Sequence, residues 1–291
     1  CEKAESRMQE TAINKALEKA QLSSADIDCI FAGDLLNQCV GSTYGIRALG
    51  MPFIGLFGAC STMAESLAVS SVFLEAGAVT RAVACTSSHF CSAERQFRLP
   101  LEYGGQRTPT AQWTATAAGA AVLEKGEVGP FVRAVTIGTI EDLGITDANN
   151  MGAAMAPAAA MTLKHFFEDT GTNPSNYDLI ITGDLGKVGT DLLRELTLKD
   201  GYDLEHHHTD CGLMLYDLEK QDVHAGASGC GCSASVMCGH ILPLIRRGTL
   251  NEILFVATGA LMSPTVVQQG ESIASIAHLV YLSSKKTGGR V

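Results

Sequence analysis

One pattern occurs twice in this chain, about 150 residues apart. Asp28-Cys29-Ile30-Phe31-Ala32-Gly33-Asp34-Leu35 is echoed by Asp178-Leu179-Ile180-Ile181-Thr182-Gly183-Asp184-Leu185, an apolar run closed by Gly-Asp-Leu both times. Solenoid units recur every ~20 to 50 residues, so an interval this long argues for two similar half-domains with the functional site between them. Each copy follows an amphipathic helical pattern: Met8, Ala12, Ile13, Ala16, Leu17 and Ala20 precede the first, and Met161, Leu163, Phe166 and Phe167 the second. Each is followed by a glycine-led turn, a helical segment and another apolar run. Gly58-Ala59-Cys60-Ser61 opens the segment Thr62 to Ala76 ahead of Ala82 to Cys85, and Gly229-Cys230-Gly231-Cys232-Ser233 opens the segment to Arg247 ahead of Ile253 to Val256. The offset there has grown to about 171. That growth predicts a surface excursion of extra residues between Leu185 and Gly229.

Helices alternating with short apolar strands predict an α/β fold whose sheets are covered on both faces, divided into halves at residues 1–128 and 129–291. An apolar content of 46% over 291 residues is ample for a large core. No apolar stretch reaches the ~18 to 20 uncharged residues that span a bilayer, so membrane association is expected to be peripheral. A formal charge of −10, with no dense Lys or Arg stripe, leaves nucleic acid little to hold. The ten cysteines are too sparse for a disulfide scaffold and lack C-x2-C spacing; they are read as reduced thiols in an intracellular compartment. The chain opens on Cys1, and its first half lacks the strand that Phe131 to Gly138 supplies in the second, so truncation at the amino end is expected.

Cys60 falls where the apolar segment Pro52 to Phe57 turns through Gly58 into a helix. Such a turn sets the side chain over unpaired backbone N–H groups, whose field is expected to lower the thiol pKa and suit a nucleophile. The alternative is a small buried residue packing at a tight junction.

The residues around this turn carry a resemblance. The order helix, strand, Cys-containing turn, helix, strand, followed by Ala117-Ala118-Gly119-Ala120-Ala121-Val122-Leu123-Glu124, resembles the thiolase and condensing-enzyme superfamily, and within it the SpoVAD family of sporulation proteins. The latter similarity rests on Ala32 to Gln38, Phe57 to Thr62, Thr86 to His89, Ala93 to Arg98, Glu102 to Gln106, Gly144 to Asp147, Met155 to Ala160, Asp210 to Met214 and Ala257 to Leu261. It implies a thiolase-like fold with an αβαβα layered arrangement. It also implies a protein of spore formers that binds dipicolinic acid (pyridine-2,6-dicarboxylate) and assists its uptake into the developing spore. The place implied is the inner membrane of the forespore, held peripherally beside other SpoVA membrane proteins. A homodimer joined through Ala82 to Thr86 is implied too, and no cofactor.

Condensing enzymes pair their cysteine with a His and an Asn, a second His, or a second Cys. Here Gly183-Asp184-Leu185-Gly186, Ala227-Ser228-Gly229-Cys230 and Ala257 to Met262 supply none of these at the matching places. Cys60 is therefore expected to be a vestigial nucleophile kept as pocket wall, with no catalytic residue. An acyltransferase using Cys60, with His89 as an unusual base, is the competing reading, and a scaffold that only docks membrane partners is a third.

A planar dianion needs N–H donors, cations and flat apolar walls. The turns at Gly58 and at Gly229-Cys230 are expected to face each other and offer donors. His89, Arg95, Arg98 and Arg107 are the nearest cations, each with a surface ion pair as its alternative. Asp34 and Gly183-Asp184 end their strands at the edge where open α/β sheets bind ligands. The two carboxylates either accept hydrogen bonds from the turns or complete the shell of a Ca2+ ion accompanying the ligand; the structural role is favoured. Met155, Ala156 and Pro157, placed before the second-half helix, are expected to form apolar wall or ordinary core. His206-His207-His208 with Asp210 is read as a solvated loop in the excursion rather than a metal site. His165 and His240 are read as ordinary helix residues, and His278 as a minor pocket candidate.

Overall fold

The computed structural model describes residues 1–97 and 107–286. The first half runs α1 (Glu2–Ala20), β1 (Cys29–Gly33), α2 (Val40–Arg47), β2 (Phe53–Gly55), α3 (Thr62–Glu75), β3 (Arg81–Ser88), α4 (Phe90–Phe97), β4 (Trp113–Thr114) and β5 (Ala117–Glu124). The second runs β6 (Phe131–Thr136), α5 (Met151–Thr170), β7 (Leu179–Thr182), α6 (Gly186–Lys199), β8 (His208–Asp210), α7 (Cys211–Leu215), β9 (Ala227–Ser228), α8 (Cys230–Val236), β10 (Glu252–Ala260) and β11 (Ser275–Ser283).

The echo in the sequence is an echo in space. One sheet has the order β2-β1-β3-β5 and the other β8-β7-β10-β11-β6. In each, a strand carrying the repeated motif lies parallel to both neighbours, and an antiparallel strand follows. The aspartates that open the two motifs do the same work. Asp28 accepts the amides of Thr80 and Arg81, and Asp178 those of Asn251 and Glu252, so each stitches the start of its strand to the next parallel one.

Period-two alternation sorts the strand residues between layers. In β10, Leu254 and Val256 pack outward on α5, whereas Ile253, Phe255 and Ala257 point inward to α3 and α8. In β1, Ile30 and Ala32 face α1 while Phe31 faces inward against Phe73. Helices α3 and α8 thus fill the space between the sheets, α1 with α2 covers one outer face, and α5 with α6 the other. This is the expected five-layer αβαβα order.

Several expectations need correction. The buried stripe of α1 is Glu5, Gln9, Ile13 and Leu17 at i, i+4 spacing, with Met8 and Ala12 half-buried. The polar members make buried hydrogen bonds: Gln9 donates to the Gly33 carbonyl and to Ser42 Oγ, and Glu5 accepts from Ser87 and Ser92. Helix α5 begins at Met151, capped by Asn150, and continues through Pro157. Met155 and Ala156 therefore lie inside it, at 1% and 0% exposure, in the outer core. The residues between Leu185 and Gly229 are not a simple surface excursion. They hold α6, the edge strand β8, α7 and β9, with Leu204, His208, Cys211 and Ala227 buried. Finally, β3 is paired on both sides, to β1 and β5, so it cannot itself extend the sheet across a two-fold axis; among the described residues the edge strands of its sheet are β2 and β5.

Candidate functional site

The two halves meet at the Cys60 turn. Residues Ala59–Ser61 form a single tight turn ahead of α3, closed by Ser61 N–H and Ser61 Oγ, which donate to the Gly58 carbonyl at 3.0 and 2.6 Å. Ala59 holds φ of 51°, a left-handed conformation that disfavours a side chain. The second half presses directly on this turn. A Cβ at Gly259 of β10 would lie 2.1 Å from the Gly58 carbonyl oxygen, so only glycine permits the approach.

Three of the amides expected to serve as donors at the two turns are already used. Gly58 N–H donates to Thr62 Oγ1, Gly229 N–H to Asp184 Oδ2 at 2.7 Å, and Gly231 N–H to Ser88 Oγ. Asp184 also accepts from Thr258 Oγ1 at 3.0 Å and from the Cys60 thiol. Burial raises the Asp184 pKa to about 6 in spite of these donors. Its carboxylate and burial together act on Cys60, which is 8% exposed. Burial first, then the Asp184 charge and the neighbouring Cys230, push the Cys60 thiol well above its ordinary value. This reverses the sequence expectation. A helix-start field lowers a thiol pKa when amides face it unpaired; here the Gly229 amide does act on the sulfur, but it is shared with Asp184, and burial and the carboxylate outweigh it.

Asp34, the counterpart of Asp184 in the repeat, does a different job. It accepts from the amides of Leu36 and Ser42 and from Ser42 Oγ, at 2.7 to 2.9 Å, and so closes the turn from β1 into α2. Burial still raises its pKa. Both aspartates are hydrogen-bond hubs, Asp184 at the Gly229 turn and Asp34 at the β1–α2 turn rather than at a glycine-led one.

A narrow cleft lies over Cys60, with a cavity volume of about 40 Å³, room for a few waters. Leu35, Ala59, Ala93, Phe97, Met151, Ala260 and Met262 form apolar walls; Cys60, Glu94, Thr114 and Ser228 are the polar ones. Leu35 and Ala260 stand at carboxyl ends of strands, where ligand sites of α/β sheets form. The strap β4 crosses from one half to the other by pairing with β9, Thr114 opposite Ser228. Gln112 fixes it, donating to the Asp184 and Ala227 carbonyls at 2.7 and 2.8 Å. Glu94 is 1% exposed, accepts from Thr114 Oγ1 at 3.0 Å and pairs with Arg107 at 2.9 Å.

The other sequence candidates separate. Cys230 and Gly229 lie beside the Cys60 sulfur. Gly183 packs β7 against Ala257 and Thr258 of β10 and does not line the cleft. Arg95 is half exposed and pairs with Glu2 at the surface. Arg98, like the segment Glu102 to Gln106, lies outside the described residues. Met155 and Ala156 are core, and Met151, one turn earlier in α5, forms the wall instead. His89 is not a wall residue. Its side chain, with those of Cys1 and Cys91, forms the group of three described metal-type donors that lie within 4.8 Å of one another. His207 Nδ1–H donates to the Tyr177 carbonyl, while buried His208 meets Thr182 Oγ1 at 2.9 Å, and burial drives its pKa to about 3. The His-rich run is therefore a turn that leads into β8: His206 is exposed, His207 half-buried, and His208, the first residue of the strand, is buried. His278 receives the Gly138 amide within β11.

Glu94 and Phe97 escaped the sequence reading although their signal was present. Ala93, Glu94 and Phe97 share a helix face by i, i+4 spacing, and Arg95 points away; attention to charge favoured the arginines.

The geometry has known counterparts. Solved structures with this fold include 3-oxoacyl-[acyl-carrier-protein] synthase III from Aquifex aeolicus VF5, with TM-score 0.60 and 14% identity over 96% of this chain and 84% of that one. The 3-oxoacyl-(acyl carrier protein) synthase III of Pseudomonas aeruginosa PAO1 gives TM-score 0.59 at 16% identity, covering 98% and 84% of the two chains. These likenesses establish the thiolase-like condensing-enzyme fold. The family model for stage V sporulation protein AD matches residues 1–283. Stage V sporulation protein AD of Bacillus subtilis (strain 168) is 48% identical over 288 residues, 99% of this chain and 84% of that protein. By its sequence, the chain belongs to the stage V sporulation protein AD (SpoVAD) family.

Proposed function

We propose that this protein is a non-catalytic binder of pyridine-2,6-dicarboxylate that assists its uptake into the developing spore. The observation that carries the non-catalytic part is the company kept by Cys60. A nucleophilic thiol needs a base or a positive field; this one donates to a buried carboxylate and is held in its neutral form. A flat aromatic diacid would enter between Phe97, Met151 and Met262, which must part to admit it because the cavity holds only about 40 Å³, with hydroxyls of Thr114 and Ser228 at its polar end. Ca2+ accompanying the ligand would neutralise it and ease its entry past Glu94.

Isothermal titration with pyridine-2,6-dicarboxylate, with and without Ca2+, tests the reading. Saturable binding that benzoate does not reproduce is expected, and no heat at millimolar ligand would refute it. Incubation with acyl-CoA followed by intact mass measurement tests the enzymatic alternative; a stable Cys60 adduct would restore it.

Among the described residues no helix is long and apolar enough to cross a membrane, in keeping with a peripheral place beside SpoVA membrane proteins. A homodimer remains part of the proposal, now through the edge strand β2. Ile54 in β2 and Phe57 just beyond it are 37% and 46% exposed, and the outer edge of β2 pairs with no described strand.

A further inference from the structure

We infer that Arg107 recognises a carboxylate of the ligand and that Glu94 competes with the ligand for it. The inference rests on the dicarboxylate reading above and names the group that makes it physically workable. Among the described wall residues of the cleft, Glu94 alone carries a formal charge, and that charge is negative. A second carboxylate ~4 Å away at an effective dielectric of about 20 is disfavoured by roughly a thousandfold. A dianion therefore needs a cation at this end.

Arg107 stands directly behind Glu94. Its NH2 lies 2.9 Å from Glu94 Oε2, and its NH1 donates to the Gln112 carbonyl at 2.8 Å. The guanidinium lies 4.3 Å from the Trp113 ring centroid and 5.3 Å from that of Phe90, and the two rings stack on each other at 4.6 Å. A planar fork held this way is preorganised for a carboxylate. Its anchor is equally fixed, because Gln112 is tied to Asp184 and Ala227 of the second half. The internal carboxylate of Glu94 already occupies the geometry that a ligand carboxylate would take. Exchange requires Glu94 to release the guanidinium while Oε1 keeps its bond from Thr114 Oγ1. Ser228, opposite Thr114 on the neighbouring strand, adds a hydroxyl beside the incoming group. Arg95, spent on Glu2 at the surface, offers no comparable site.

The test uses calorimetric titration of pyridine-2,6-dicarboxylate, in EDTA, into the wild type, Glu94→Gln and the double variant Glu94→Gln/Arg107→Gln. The double variant replaces both members of the Glu94–Arg107 ion pair by amides, and circular dichroism with thermal melts verifies its fold. Glu94→Gln is expected to bind about tenfold or more tightly than wild type, and the double variant about tenfold or more weakly than Glu94→Gln. Pyridine-2-carboxylate, with one carboxylate fewer, should show a smaller gap between the two variants. Equal affinity of the folded single and double variants would overturn the inference, as would weaker binding by Glu94→Gln. Wild-type binding seen only when Ca2+ is restored would overturn it too, since Glu94 would then be meeting a cation. Absence of wild-type binding under every condition refutes the dicarboxylate reading itself, whereas binding indifferent to both substitutions refutes only the role of Arg107.

Discussion

Glu5 should make this protein more stable in mild acid than in mild base. It lies on α1 at 1% exposure, accepting from Ser87 Oγ at 3.2 Å and Ser92 Oγ at 2.8 Å. Burial first, and the nearby Asp34 charge second, raise its pKa from 4.5 to about 7, against the lowering effect of the two serines. The folded protein therefore favours protonated Glu5 more than the unfolded chain does. Its favourable share of stability is complete below about pH 4.5 and is lost as pH rises through about 7. At about 1.36 kcal/mol per pKa unit, most of the penalty develops between pH 5 and 8.5 and amounts to roughly 2 to 3 kcal/mol. Glu5→Gln keeps an acceptor for the serines and cannot ionise. The stability gap between this variant and wild type should widen in favour of the variant by that amount over the same interval. At about 2 to 4 °C per kcal/mol, melting temperatures followed by circular dichroism should diverge by roughly 5 to 10 °C. Comparing the pair cancels the contributions of Asp184, Asp210 and Glu65, whose pKa values burial also raises to about 6, 7 and 7. A gap that stays constant from pH 5 to 8.5 would show that Glu5 does not titrate as argued.

Three further outcomes are expected. Asp184→Asn keeps an oxygen for the Gly229 amide but removes the charge facing Cys60, so alkylation of Cys60 by iodoacetamide at pH 8 should quicken several-fold; an unchanged rate would mean that burial alone controls the thiol. Gly259→Ala would drive a methyl to 2.1 Å from the Gly58 carbonyl. Backbone must shift, and a loss of about 2 kcal/mol or more in a urea melt is expected, with a near-neutral result arguing against the close approach. Phe255→Ala, at 0% exposure in the layer between the sheets, should cost about 3 to 5 kcal/mol by the same measurement, and a loss below 1 would place Phe255 outside the core.

Long-range repetition was legible because it lies in the apolar pattern itself. Asp28 and Asp178, the two strands that follow them and the glycine-led turns at Gly58 and Gly229 all hold matching positions in the two sheets. The order of the layers was equally legible, since alternating strands need helices on both faces. The site was read less well. Pro157 looked like a helix boundary, yet the helix passes through it, which moved the wall from Met155 to Met151. The cysteine turn looked electropositive, yet burial and the Asp184 carboxylate outweigh the one amide, that of Gly229, that acts on the sulfur. The arginines drew attention, whereas the face they leave, with Ala93, Glu94 and Phe97, lines the cleft.

Periodicity and local turn chemistry act between near neighbours in the chain, and so residue order alone determined two α/β halves, the strands they share and the family to which they belong. Contacts across the halves decided the rest. Asp184 reaches Cys60, Gln112 reaches Ala227 and Gly259 reaches Gly58 only after the sheets have stacked, so the charge state of the thiol and the shape of the cleft are properties of the assembled core.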